Sequence, residues 1–140
     1  NLVPVITETA IGKRPSMTVF GNDYSTRDGS CIRDYIHVMD LANAHTKGLQ
    51  YLLEKKNPGN CQAFNVGIGN GVSVLEAILA FEKVTGKALN YTIGPRRAGD
   101  VVAIYANNEK SQKCLGWLPK RGVDEIMRTA WAWELSRSGC

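Results

Sequence analysis

Two arginine-bearing stretches hold the residues of this sequence that could do chemistry. The first is Gly29-Ser30-Cys31-Ile32-Arg33-Asp34-Tyr35-Ile36-His37-Val38-Met39-Asp40, where a turn-rich loop tightens into a short strand with Tyr35, Ile36 and Val38 as its apolar residues. Arg33 stands where loop becomes strand, a rigid base from which a guanidinium can fork onto two oxygens of a phosphate or carboxylate. A surface pairing with Asp34 or Asp28 is the other reading of the same residue. The second stretch is Arg96-Arg97-Ala98-Gly99-Asp100, a basic loop whose glycine allows close backbone approach. Asp100 can hold one of these arginines or meet a ligand hydroxyl, and a solvated loop fits the residues as well as an anion site does. No catalytic constellation accompanies them. There is no Ser/His/Asp ordering, no pair of carboxylates in a recognisable setting and no base beside a nucleophile. The residues by themselves point to part of a site that binds a phosphorylated small molecule.

A third stretch imitates a cofactor motif. Ala63-Phe64-Asn65-Val66 reads as a strand running into Gly67-Ile68-Gly69-Asn70-Gly71 before a helix, the order of a dinucleotide-binding turn. The spacing is G-x-G-x-G instead of G-x-G-x-x-G, and Leu89-Asn90-Tyr91-Thr92 carries no acidic residue where a ribose partner would stand. The following helix also has its own start, Ser73 with Glu76 three residues on, a capping box. These glycines are read as a tight structural turn.

The elements that must position the arginines follow from periodicity. Val5, Ile6, Thr9 and Ala10 recur at helical spacing up to Gly12, and Met17-Thr18-Val19-Phe20 alternates as a short strand turned by Gly21-Asn22-Asp23. Asn22 to Gly29 is a polar surface loop. Asp40 is expected as the N-cap of a helix running to about Lys55, with His45 on its apolar face as a structural histidine. Asn57-Pro58-Gly59-Asn60 breaks the chain. Ser73 opens a helix with an apolar stripe at Val74, Leu75, Ile78, Leu79 and Phe81, ended by Gly86, and Leu89 to Ile93 is a last strand. Asn107 is expected to cap a short helix through Lys110 and Cys114 that Gly116 ends. The final helix carries Val123, Ile126, Met127, Ala130, Trp131 and Leu135 on one face, with Asp124 and Glu125 in its first turn. Trp131 and Trp133 cannot both face the same way.

Bulk properties narrow the class. At 140 residues the chain is one domain by length, with a net charge of +4 that can be located. Arg96, Arg97, Lys110, Lys113, Lys120 and Arg121 stand against Asp100 and Glu109, six minus two, and the rest is neutral overall. One basic segment suits a small anion better than a polyanion, so no nucleic-acid partner is expected. No apolar run approaches the ~20 residues of a membrane span, so no membrane partner is expected either. Cys31, Cys61, Cys114 and Cys140 are scattered, with no pair at metal-ligand spacing. That usage fits reduced thiols in a cytoplasmic protein, with no metal. The chain opens Asn1-Leu2-Val3-Pro4-Val5-Ile6, without Met and directly in apolar sequence, and is read as a piece of a longer protein.

In colinear order, Asn1-Leu2, Val19-Phe20-Gly21-Asn22-Asp23-Tyr24, Asp28-Gly29, Arg33 to Ala42, Asn65 to Gly69, Arg96 to Asp100 and Lys110 to Leu115-Gly116-Trp117 resemble the C-terminal portion of the UDP-glucose 4-epimerase family. That family lies within the extended short-chain dehydrogenase/reductase superfamily. The RDYIHV and Lys…LGW elements are shared with other nucleotide-sugar enzymes of the superfamily, and FGNDY…DG favours the 4-epimerases. The resemblance implies an α/β fold in which residues 1–140 form a C-terminal UDP-sugar-binding portion. Some of its segments would complete a Rossmann-type sheet supplied by an N-terminal domain that binds NAD. It implies no catalytic or cofactor-binding residue in this chain. Asn1 and Leu2 would meet the sugar nucleotide, Thr18, Val19 and Phe20 the uracil largely through backbone groups, Arg33 and Arg97 the diphosphate, and Asp100 the ribose. Ile104 would line the sugar pocket. The substrates implied are UDP-galactose and UDP-glucose, with UDP-N-acetylhexosamines also accepted because Ile104 is smaller than a Tyr. Oxidation at C4, turning of a 4-keto sugar and hydride return would interconvert them in galactose metabolism. A homodimer is implied for the intact parent, and this chain alone would be inactive. The equivalent part of a related dehydratase, decarboxylase or epimerase, and a free-standing anion- or RNA-binding module, remain as alternatives.

Overall fold

The computed structural model describes residues 1–139. Its elements are α1 (Leu2–Ala10), β1 (Met17–Phe20), β2 (Ile32–Arg33), α2 (Val38–Leu53), β3 (Val72–Ser73), α3 (Val74–Thr85), β4 (Tyr91–Gly94), α4 (Glu109–Leu115) and α5 (Val123–Ser138). The core lies where α1, α3 and α5 meet the inner face of β1. Ile6, Met17, Val19, Ile78, Phe81 and Met127 are all buried there, and the Trp131 ring stands edge-on to Phe81 at 5.6 Å. Trp133, two residues on, is exposed, as the helical spacing requires.

β1 pairs in parallel with β4, from Met17 opposite Tyr91 to Phe20 opposite Gly94. Period-two alternation then decides which side chains leave the core: Met17 and Val19 point in, Thr18 and Phe20 point out. β2 is a two-residue antiparallel partner of β3, and Ile32 also bridges to Ala103. Arg33 is thereby held by backbone on both sides of its strand.

The helices start and stop largely where local chemistry dictates. Ser73 and Glu76 form the expected capping box at the head of α3, and Gly86 closes it in the left-handed conformation, at φ +67. Several expectations need correction. Asp40 does not cap α2. His37 does, accepting Met39 N–H on Nδ1, so Nε2 carries the proton towards Thr129 Oγ1 at 3.0 Å. The earlier cap absorbs Val38 into the helix, and residues 34–37 form no strand. Asn108 precedes α4, although it is the Asn107 side chain that accepts from Glu109 N–H. Leu79 is exposed on the outer side of α3, so the apolar stripe there is narrower than the sequence implied. His45 is exposed too, bonded to the Leu41 carbonyl at 2.8 Å, because the side of α2 bearing Leu49 and Leu52 is uncovered. Residues 63–66 are not assigned as a strand, since no second strand lies beside them.

Candidate functional site

A cavity of about 520 Å³ opens between the first turn of α1, the outer face of β1, β2 and the loop after β4. β1 presents Thr18 and Phe20 to it, and α1 presents Asn1, Leu2 and Val5. Arg33, Arg97 and Asp100 form a charged wall. Of the nine residues singled out from the sequence, seven therefore share one cavity. Val19 sits directly behind it with its side chain in the core, leaving only its backbone near the cavity, and Ile104 stands exposed outside the lining.

The two arginines are held differently. Arg33 is the fixed one: Nη1 donates to the carbonyls of Ile32 at 2.7 Å and Val101 at 2.9 Å, and Nη2 to Asp100 Oδ1 at 3.2 Å. It pairs with neither Asp34 nor Asp28. Arg97 is the adjustable one. It is largely exposed, donates to the same Asp100 oxygen at 2.8 Å, and lies 5.7 Å from the Phe20 ring. The Arg97 hydrogen bond, with Arg33 beyond it, holds the Asp100 carboxyl below the usual carboxylate range. One carboxylate thus gathers two guanidinium groups at the cavity wall and keeps their mutual repulsion in check. An anion entering beside them meets a preformed cationic pair.

Two further arginines of the segment are engaged inside the molecule. Arg96 donates to the Asp23 side chain at 2.7 Å and stacks on the Tyr24 ring at 4.3 Å. Gly21 permits this packing, since a Cβ there would fall on the Tyr24 ring and on Arg96, and φ is +81. Arg121 is bound to Asp40. The basic side chains at the cavity are Arg33 and Arg97.

Below the cavity, a polar cluster sets the loop that leads into β2. Asp28 accepts from Ser30 N–H, Ser30 Oγ and Ser73 Oγ, and Arg27 joins the Glu76 carboxylate to the Gly71 carbonyl. Ser30 and Ser73 are fully buried. Because Ser73 also caps α3, the position of Arg33 is tied to a helix end. Tyr35 and Cys31 line the cavity as well, and the sequence reading missed both as site residues. Burial pushes the Tyr35 phenol up to about 12, so it is a neutral donor at any ordinary pH. The signal available for Tyr35 was its place two residues after Arg33, which alternation in an extended chain puts on the same side.

The glycine turn is not a cofactor cradle in this structure. The Asp34 carboxylate fills it, accepting from Ile68 N–H at 3.0 Å and from Ala106 N–H at 2.9 Å, and a Cβ on Gly67 would fall on that carboxylate. A pyrophosphate would meet a negative charge where it needs free amides, so these residues do not fit one. Among the described residues no cluster of His, Cys, Asp or Glu could hold a metal ion, and no helix is long and apolar enough to cross a membrane.

A family model described as GDP-mannose 4,6 dehydratase matches residues 1–130. A bifunctional UDP-glucose 4-epimerase and UDP-xylose 4-epimerase of Arabidopsis thaliana is 50% identical over 133 residues, which are 95% of this chain and 38% of that protein. The crystal structure of UDP-glucose-4-epimerase from Stenotrophomonas maltophila, with bound NAD and formylated UDP-arabinopyranose, superposes with a TM-score of 0.94. The identity is 40%, over 99% of this chain and 40% of that one. The UDP-Glc/GlcNAc 4-epimerase of Campylobacter jejuni gives a TM-score of 0.86 at 40% identity, over 99% of this chain and 40% of its own. The chain spans about two fifths of the length of these relatives. By the match across residues 1–130, this chain belongs to the GDP-mannose 4,6 dehydratase family, and within it the chain is similar to UDP-glucose 4-epimerases.

Proposed function

We propose that this chain is the C-terminal, UDP-sugar-binding portion of a UDP-glucose 4-epimerase. The observation that carries the reading is the cavity wall where Arg33 and Arg97 meet beside the outward residues of β1. Two cationic groups match the two negative charges of a diphosphate ester, and the strand beside them offers an aromatic ring and a hydroxyl for a base. Asn1, Leu2, Thr18, Phe20, Arg33, Arg97 and Asp100 grip the nucleotide, Val19 contributes backbone, and Ile104 faces the hexose. Holding the nucleotide firmly and the sugar loosely lets the hexose turn between two productive orientations.

NAD, tightly held by an N-terminal domain outside this chain, supplies the hydride chemistry at C4 of the sugar. Binding and orientation are what the present residues add, so this chain by itself is inactive. The complete enzyme, a cytoplasmic homodimer of galactose metabolism, interconverts UDP-galactose and UDP-glucose. The arginines are tested by calorimetry with UDP alone, in a complete-length enzyme carrying this chain. Arg33→Ala and Arg97→Ala are each expected to weaken UDP by tenfold or more, at about the strength of a charge-assisted contact. Unchanged affinity in both variants would overturn the diphosphate assignment.

A further inference from the structure

A thiol stands in the wall of the arginine cavity. Cys31 lines it beside Arg33 and Arg97 and is 5% exposed, whereas Cys61 and Cys114 are exposed elsewhere on the surface. Its backbone is pinned: the Cys31 carbonyl accepts from Val74 N–H at 3.1 Å, and the adjoining Ile32 pairs with Ser73. The sulfur is therefore held in place, and the neighbouring cations sense it. The pKa of Arg97 is raised first by its hydrogen bond to Asp100 and, to a smaller extent, by Cys31. Arg96, raised first by Asp23, has the same smaller contribution.

Behind the sulfur is Tyr24, also 5% exposed. Among the described residues, its hydroxyl is the buried side-chain polar atom left without a hydrogen-bond partner. Burial and then the Cys31 thiol push the phenol's pKa up, so the hydroxyl faces the sulfur and keeps its proton. No hydrogen bond joins the two. A buried donor left unpaired is costly, and a sulfur that carries negative charge, as it does when it attacks, supplies the missing acceptor.

We propose that Cys31 is a covalent modification site inside the arginine cavity, selective for anionic thiol reagents and in particular for small anionic disulfides, and that its modification excludes the nucleotide. The Cys31 thiolate attacks one sulfur of the disulfide, and the S–S bond breaks as the new one to Cys31 forms. The departing thiolate takes up the proton that Cys31 gave up, so no further oxidant enters. Arg33 and Arg97 draw the carboxylates of such a reagent as they would draw a diphosphate. Adduct and nucleotide use the same two cations, hence one excludes the other. The selectivity stands on the cavity alone, and only the exclusion rests on the reading of this cavity as a UDP-sugar site.

The test uses a complete-length chimera, in which this chain replaces the matching segment of the Arabidopsis relative, with peptide mapping by mass spectrometry. Iodoacetate and iodoacetamide share a leaving group and differ in charge. The ratio of their rates at Cys31 is expected to exceed the ratio at Cys61 and Cys114 by about tenfold or more, and to fall towards theirs in Arg97→Ala. An equal or lower ratio at Cys31, or no reaction of Cys31 while the exposed cysteines react, overturns the proposal. UDP at about ten times its Kd is expected to slow Cys31 by about tenfold and to spare the other two. Undiminished reaction of Cys31 in enzyme that calorimetry shows to hold UDP also overturns it. Glutathione disulfide is expected to add one glutathionyl group at Cys31 and abolish UDP binding, reversibly with dithiothreitol, and this loss is expected to be absent in Cys31→Ser. UDP binding that survives full modification, or a loss that persists in Cys31→Ser, contradicts the exclusion. Anion selectivity at Cys31 in a chimera that binds no UDP before treatment would support the modification site and refute the nucleotide reading, so the two failures are separable.

Discussion

At the scale of single residues, buried carboxylates shape this molecule more than its charge would indicate. Asp40 is almost fully buried, and its carboxylate accepts from Lys120 N–H and Arg121 N–H at 2.9 Å and from the Arg121 guanidinium at 2.5 Å. Burial pushes its pKa up, but these donors outweigh burial and hold it below the ordinary 3.8. A depressed folded pKa means the stabilisation is complete above the unfolded value and is lost as pH falls through the folded one. Asp40→Asn should therefore cost about 2–3 kcal/mol in urea unfolding at pH 7 and flatten the loss of stability below pH 3.8. An unchanged acid limb would show that another carboxylate governs it. Ile104 tests the sugar end of the proposed site. Ile104→Tyr is expected to lower kcat/KM for UDP-N-acetylhexosamines by about tenfold while sparing UDP-glucose, the range that hydrophobic pocket shape can discriminate. An equal effect on both substrates, or on neither, would remove Ile104 from the pocket. Arg33, Arg97 and Asp100, each of which the residues alone left open between a ligand site and a solvated surface, stand together at one cavity wall. The parts played by Asp34 and Asp40 were not legible in the sequence, since each carboxylate meets backbone amides many residues away in sequence.

At the scale of elements, sequence periodicity was sufficient wherever a segment contains its own reasons for folding. The helix of residues 74–85 has its cap and terminating glycine within one stretch, and both were readable, as was its apolar face apart from the exposed Leu79. Ser73 does two jobs there, accepting Glu76 N–H at 3.0 Å and donating to Asp28 below the cavity. Ser73→Ala is expected to cost about 1–2 kcal/mol, the usual worth of an N-cap. Loosening the loop before Arg33, it should also weaken UDP binding, a change calorimetry would register. Stability lost with UDP affinity intact would separate the cap from the site. Strands were harder, because a strand is defined by its neighbour. Met17–Phe20 found Tyr91–Gly94, whereas residues 63–66 kept a strand's alternation without a partner. Tyr35 to Val38 failed for another reason: His37 could cap a helix, and local capping outcompeted a short apolar run.

At the scale of the whole molecule, the chain has a finished side and an unfinished one. The core under α1, α3 and α5 is closed, and the cavity walled by Arg33 and Arg97 opens beside it. Elsewhere, Leu49, Leu52 and Leu53 of α2 are exposed, as are Val101, Val102, Ile104 and Tyr105 beyond β4. Both surfaces are where the proposed enzyme would continue, one towards a sheet and one towards the sugar. The most direct measurement is product analysis by NMR of UDP-galactose incubated with the complete-length chimera and NAD. An equilibrium mixture of UDP-galactose and UDP-glucose, lost in the Arg33→Ala variant at substrate levels that saturate the unsubstituted enzyme, is the expected result. A chimera that binds UDP as predicted but yields a dehydrated or decarboxylated sugar nucleotide, or returns UDP-galactose unchanged, would contradict the assignment to a 4-epimerase.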